Sequence, residues 1–582
     1  NIHHNLKTKL DPTTSYIEVV DEILIKTPLL KDKLIFTLNE SLFVEEISDN
    51  VKLKITNRSI PAKDIGMDRD DANSKSDLIL NEYTISEFDN TKDLIFTIKY
   101  SGKIYSPIEQ SDENYQRGFS ESPGIISNLG VYLAGSTYWV PTLEDELTSF
   151  NLTTELPLLW RTVSQGKRIE DKVEGEIHID IWDSPTPQEE IFLVAAKFNE
   201  YKFSAGSVDV YAFLRTPDEA LANKYLETTA QYLEMYRQLI GKFPYTKFAL
   251  VENFWETGYG MPSFTLLGEK IIRFPFILHS SYPHELLHNW WGNSVYVDFD
   301  KGNWCEGLTA YMADHLIKEQ RNQAEEYRRS TLQKFTDYVN PENDFPLSKF
   351  LSRYDGASEA IGYGKSLMVF HMLRLKVGDE NFKKAFQAFY RNNIFKKASY
   401  DDIKIAFEDI TGEDLDWFFN QWINRTTAPE LNLKNVSSKK MGDMFELKFS
   451  IEQVQAEEPF VIDVPVVVID DEGTYKEVFQ LNERLAMFSF KVGSEPQKIL
   501  IDPQFDVFRK LNSREIPPAF TKAYGAEKSL LILPNSSNPK FSLYKEFVDG
   551  WISGKEDQFE VISENEISEL PKDKTVWLFG DK

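Results

Sequence analysis

Cysteine is almost missing from this chain. Cys305 is the one thiol in 582 residues, so no disulfide can close within it, which argues against a small stapled secreted module. Basic charge is also short. Lys and Arg total 65 against 92 Asp and Glu, a formal net charge of −27. Nucleic-acid phosphates would be repelled by such a chain. No apolar run approaches the roughly 18–20 residues of a membrane-spanning helix, and there are no internal repeats or low-complexity tracts. The first residue is Asn1, with neither a methionine nor a signal-peptide pattern. We read a mature or trimmed form and expect an extracytoplasmic setting, periplasmic or secreted, with the cytoplasm as the alternative. What is abundant is core-forming material. Apolar residues make up 41% and aromatics 13%, so disorder is not the default. At about 150 residues per domain the length allows three to five domains.

The periodicity divides the chain. Residues 1–205 read as β-rich, with short runs of Val, Ile, Phe, Tyr and Thr at 15–25, 33–38, 51–56, 78–83 and 93–100 separated by turn residues. Residues 118–130 (GFSESPGIISNLG) read as a Gly/Ser-rich loop. In EIHIDIW the alternation sets Ile177, Ile179 and Ile181 against Glu176, His178 and Asp180, which predicts that His178 faces solvent. Residues 206–428 are mostly helical, beginning at 218–240 with Asp218 as a plausible cap and Gly241 as the stop. Residues 429–513 show strands at regular spacing, a small β-sandwich. Residues 514–582 look like the start of an α/β domain, expected to run on past Lys582.

The stretch that carries chemistry is Pro283-His284-Glu285-Leu286-Leu287-His288. Residues at i and i+4 share a helix face, so His284 and His288 could aim two imidazoles at one ion, with Glu285 beside them to handle a proton. By average residue usage a bare H-E-x-x-H arises by accident in roughly 1–3% of chains this long, so the motif needs a third ligand. Glu306, in Asn303-Trp304-Cys305-Glu306-Gly307, is the candidate. It is separated from His288 by seventeen residues (306 − 288 − 1), room for a loop and a return on a neighbouring helix. Its plainer reading is a first-turn acid favoured by the helix dipole. Gly258, Gly260 and Gly268 mark backbone lying close to something else.

HELLHNWWGN followed by NWCEGLTAY resembles the zinc site of the aminopeptidase N family, gluzincin metallopeptidases related to leukotriene hydrolase. DWFFNQWINRTTAPEL and IDPQFDVFR resemble the family's later segments, and the order of domains is similar over about residues 10–515. The resemblance implies a multidomain α+β protein: a β-saddle-like N-terminal domain, a thermolysin-like mostly helical catalytic domain, a β-sandwich and a C-terminal α/β segment. It implies one zinc ion on His284, His288 and Glu306, Glu285 as general base assisting a metal-bound water, and Tyr363 (in IGYGKS) as the oxyanion's donor. His₂Glu favours zinc, although manganese or cobalt could substitute. Gly260 and Met261 match the family's substrate-binding strand, but Pro262 and Ser263 stand where the family has Glu and Asn. Proline carries no charge and no N–H, so the anchor for a substrate's free amine is missing there. Glu252, Glu256 and Glu359 are possible substitutes.

The expected function is therefore zinc-dependent hydrolysis of peptide bonds, first as an aminopeptidase. The alternatives are a peptidase acting on blocked N-termini or internally, and a non-catalytic peptide-binding scaffold. The partner is a peptide substrate, with no nucleic acid and no transmembrane segment; the oligomeric state is left open. His279, His315 and His371 read as structural, His3 and His4 as part of a frayed terminus, and Cys305 as a packed thiol. Trp290, Trp291 and Trp304 read as packing.

Overall fold

The computed structural model describes residues 2–62, 78–110, 120–143, 146–517, 519–526, 528–553, 556–571 and 574–580. The chain is multidomain α+β: β-sheets first, then a mostly helical region, then further sheets. It gathers into two compact units. The first comprises Asn1–Gln320, Ser348–Asp355 and Leu373–Phe419, the second Arg321–Leu347, Gly356–Met372 and Asn420–Lys582.

In the first unit a seven-stranded sheet opens the fold. Its strand Ile2–Asp11 lies well inside, parallel to Thr148–Pro157 and antiparallel to Tyr16–Ile25. The expectation of a frayed start is thus wrong: His4 is buried, with Nδ1 2.7 Å from Asp21 Oδ2. Leu6, Ile17, Val19, Phe150 and Leu152 form the adjoining core, enough apolar area to hold the first strand in place. His178 also departs from expectation. The polar face goes inside: His178, Asp180 and Trp182 are buried while Ile177 is exposed, although Ile179 is buried too, so the alternation does not sort the two faces. Hydrogen bonds make this tolerable. His178 Nε2 lies 2.8 Å from Asp171 Oδ1, and Asp180 Oδ2 accepts from the Thr162 N–H and hydroxyl at 3.0 and 2.7 Å. Most of the loop expected at 118–130 is a hairpin of Gly124–Ser127 and Gly130–Leu133; residues 118 and 119 lie outside the described residues.

The helix Glu219–Leu239 starts as expected, Asp218 Oδ1 accepting from the Leu221 N–H at 2.9 Å. Beside it runs a five-stranded sheet in the order Asn199–Ala205, Val208–Leu214, Lys247–Asn253, Phe264–Gly268, Gly258–Met261. Gly258–Met261 is therefore an edge strand, joined to Phe264–Gly268 by a two-residue turn. Trp290, Trp291 and Trp304 are fully buried, Trp291 and Trp304 against Phe389, so they pack as expected. His315 and His371 are core residues.

In the second unit, two three-stranded antiparallel sheets between Leu431 and Ile501 face each other, Phe449 of one meeting Phe479 of the other at 5.5 Å between ring centroids. A parallel three-stranded sheet, with Ser529–Leu533 at its centre, carries the helix Phe541–Ile552. No helix among the described residues is long and apolar enough to cross a membrane.

Candidate metal centre

His284 and Glu285 lie in the short helix Ser281–Leu287, and His288 continues its backbone at φ −54°, ψ −20°. One turn apart, the two imidazoles stand on one face with ring centroids 4.8 Å apart. Glu306 comes from the helix that begins Cys305–Thr309. Its Oε2 lies 3.4 Å from His284 Nε2 and 3.7 Å from His288 Nε2, and the three ligand atoms fall within 4.8 Å of one another. That oxygen is buried and accepts no hydrogen bond. A bare buried carboxylate oxygen is costly, and two imidazole nitrogens with a carboxylate are a donor set suited to zinc. The residues therefore fit the ion that the motif implies. Burial opposes the charge of Glu306, yet His288, His284 and Arg353 hold its carboxyl down to about 2. Burial also opposes a charged His284, but Asp314 and Glu306 raise its pKa well above the usual range.

Outer partners fix the rings. His284 Nδ1 lies 3.0 Å from Asp314 Oδ2, and His288 Nδ1 lies 3.1 Å from the Trp291 carbonyl. Such contacts set the tautomer and turn Nε2 toward Glu306, where an ion would be held. Asp314 escaped the sequence reading. A signal existed, since it follows Glu306 by eight residues (314 − 306), close to two helical turns. The helix there passes through a π-helical turn, Ala310–His315, which periodicity does not announce. Cys305 is buried with its thiol pKa pushed well up by that burial, so it is a packed thiol.

A second group, Asp171, His178 and Asp180, also brings ligand atoms together. There the Arg168 guanidinium lies 3.6 Å from Asp171 and 3.8 Å from Asp180, so a cation is already supplied.

The edge strand Gly258–Met261 passes directly over the motif helix. A methyl group at Gly260 would come within 2.9 Å of Glu285 Oε2 and 3.1 Å of both the Glu285 carbonyl and His288 Cβ. Only glycine admits this approach. The Gly260 carbonyl accepts from Asn293 Nδ2 at 2.9 Å, and Met261 is buried. Pro262 and Ser263 form the turn at its end, both buried, so no carboxylate stands there. Of the substitutes, Glu252 is committed to Arg273 at 2.7 Å and to the Arg215 N–H. Glu256 accepts the Lys270 N–H through Oε1, leaving Oε2 buried without a partner. Glu359 lies in the second unit, 2.9 Å from Lys334. Tyr363 is also in the second unit, half-buried within another π-helical turn, Ala360–Lys365.

Residues 279–422 match the Peptidase family M1 domain. An alanine/arginine aminopeptidase of Saccharomyces cerevisiae is 24% identical over 310 residues, 51% of this chain and 36% of that protein. A leucyl aminopeptidase of Saccharolobus solfataricus is 21% identical over 260 residues, covering 41% and 32%. The matches thus span about a third of the length of these curated relatives. A crystal structure of Legionella pneumophila aminopeptidase A in complex with aspartic acid has a similar fold: TM-score 0.64 at 14% identity, over 89% of this chain and 60% of that one.

Proposed function

We propose that this chain, which belongs to the peptidase M1 family, is a zinc-dependent metallopeptidase that removes residues from peptide N-termini. The observation that carries the reading is the convergence of His284 Nε2 and His288 Nε2 on a buried Glu306 oxygen that nothing else engages. These three atoms would hold the ion. When bound, it polarises a carbonyl and makes water more acidic. Glu285, half-buried beside the edge strand, takes the proton of the attacking water on its carboxylate and delivers it to the leaving amine. Asp314 keeps the His284 ring turned. An extended peptide laid along Gly258–Met261 pairs with that edge strand, Gly260 and Met261 being its first contacts. The donor role of Tyr363 rests on the motif Ile361-Gly362-Tyr363-Gly364-Lys365 alone. The saddle-like and thermolysin-like character of the first two domains is part of the same proposal.

A second reading follows from the buried, uncharged Pro262-Ser263 turn: the site takes blocked N-termini or cuts internally. A free ammonium entering a desolvated cleft needs an anion, and the family's position supplies none. Comparing turnover of an aminoacyl anilide with that of an N-acetylated peptide separates the two. Preference for the free amine supports the aminopeptidase, and equal turnover of the blocked peptide supports the second reading. A purified protein that takes up no zinc and cleaves neither would refute both and leave a peptide-binding scaffold.

A further inference from the structure

Lys247 opens the strand Lys247–Asn253 and is almost wholly buried, at 2% exposure. Among the described residues no carboxylate pairs with it. Its Nζ donates to Ser263 Oγ at 2.7 Å and to the Ser263 carbonyl at 3.2 Å. Two aromatic rings flank the amine, Trp182 and Phe264, with centroids 5.2 and 5.5 Å away. Burial first, and then Arg168, push its pKa well below the lysine range. A buried amine is costly to keep, and both of its hydrogen bonds are spent on one residue of one turn.

That turn is unusual in its own right. Ser263 has φ +68°, a conformation that residues with a Cβ adopt only when their surroundings insist. Its N–H donates to Asn289 Oδ1 at 2.7 Å. Asn289 is fully buried, directly follows the metal-binding His288, and ties its own Nδ2 to the Leu286 carbonyl at 3.0 Å. The turn is thus gripped from the sheet by Lys247 and from the motif helix by Asn289. It closes the hairpin whose first strand, at Gly260 just before the turn, runs close over Glu285 and His288. In a two-residue hairpin the turn sets the register, and a slip by one residue would point Tyr259 and Met261 at the helix instead of glycine.

We propose that Lys247 is a positioning residue: through Ser263 and Asn289 it sets the separation of the edge strand Gly258–Met261 from Glu285 and the metal-binding histidines. The inference rests on the peptidase reading of that site for its effect on turnover, but not for its effect on the strand. It explains what occupies the position where an amine anchor is missing: a pinned turn that serves the general base and is indifferent to the substrate's N-terminus.

The test uses the full chain loaded with zinc, and the variants Lys247→Met, Asn289→Ala and their combination. Each single change is expected to lower kcat about tenfold or more, since an error of about 1 Å in placement costs on the order of 100-fold. The loss should be equal for unblocked and N-acetylated peptides, with KM little changed and zinc content retained. Because both residues act through Ser263, the double variant should be no slower than the slower single one; losses that multiply would overturn the proposal. Lys247→Gln, which restores a donor without the charge, should recover most of the activity that Lys247→Met loses. A purely packing role predicts no such recovery. Hydrogen exchange of the amides of residues 258–261 and 263 gives a readout independent of hydrolysis. It should quicken in each variant even if the wild type cleaves no peptide, and wild-type exchange in Lys247→Met would refute the positioning role. Should Lys247→Met not fold, Ser263→Ala removes one acceptor of the same grip, and unchanged exchange there would be equally decisive.

Discussion

The closest approach in the site makes the sharpest prediction. Gly260→Ala places one methyl group between the edge strand and the motif helix. Its contacts would be 2.9 Å to Glu285 Oε2, and 3.1 Å to the Glu285 carbonyl and to His288 Cβ. Ordinary contact begins at 3.4 Å, so the overlaps are about 0.5 Å (3.4 − 2.9) and about 0.3 Å (3.4 − 3.1). Gly260 has no positive φ, so backbone strain plays no part and the effect is one of volume. The carboxylate can swing aside, but then the proposed general base is displaced. The carbonyl and Cβ belong to the helix backbone and its root, so relieving them moves the strand by about 0.3 Å. Scaling from roughly 100-fold per 1 Å, displacements of 0.3–0.5 Å cost about four- to tenfold in kcat. Overpacking of this kind also destabilises by about 1–3 kcal/mol. Gly258→Ala is the control: its methyl would sit 3.6 Å from Leu267 Cδ2 and 3.9 Å from Glu285 Oε1, ordinary contacts. Steady-state kinetics on one peptide, with zinc measured in each sample, decides. If the two variants turned over alike, the account of Gly260 as the spacer for Glu285 would be wrong.

Glu285→Gln is expected to retain zinc and lose hydrolysis by about 100-fold or more; a variant that cleaves peptides normally would remove Glu285 from the mechanism. Asp314→Asn should weaken metal binding about 10- to 100-fold, with activity restored by added zinc, and an unchanged affinity in a chelator titration would count against the His284–Asp314 contact as an orienting one. Burial raises the Glu359 carboxyl to about 7 from 4.5. An acid whose folded pKa is raised contributes stability that is full below its unfolded pKa and is lost as pH rises through the folded one. The wild type should therefore lose thermal stability relative to Glu359→Gln between about pH 4.5 and 8, and parallel melting-temperature profiles would refute the shift.

Much of the site was legible because its chemistry is local. His284, Glu285 and His288 stand on one helical turn, where a spacing of four is a geometric statement, and Glu306 follows after one loop. The close approaches at Gly260 and Gly268 were legible as well, because a missing Cβ near a motif has few other uses, whereas at Gly258 a methyl would make only ordinary contacts. Asp314 was less so, since it lies within the π-helical turn Ala310–His315, which alters the face it presents. His178 shows the limit more plainly. Alternation reveals that a strand has two faces, but which face is buried depends on the partner layer, and here Thr162 and Asp171 supply the hydrogen bonds that let the polar face go inside. The terminal strand is a similar case: Ile2–Asp11 reads as an ordinary start until its parallel pairing with Thr148–Pro157, far along the chain, puts it inside a sheet.

By itself, then, the sequence singled out the candidate groups and their type: two imidazoles and a carboxylate suited to a metal, a second carboxylate beside them, and no charge at Pro262 and Ser263. These follow from side-chain chemistry and from the short-range geometry of one helix. Only the tertiary structure decided what holds them. Lys247, Ser263 and Asn289 come from a strand, a turn and a helix, and none carries a motif. Their meeting depends on how the sheet lies against the helix, which is set by long-range packing, and it is this packing that brings Gly260 against Glu285.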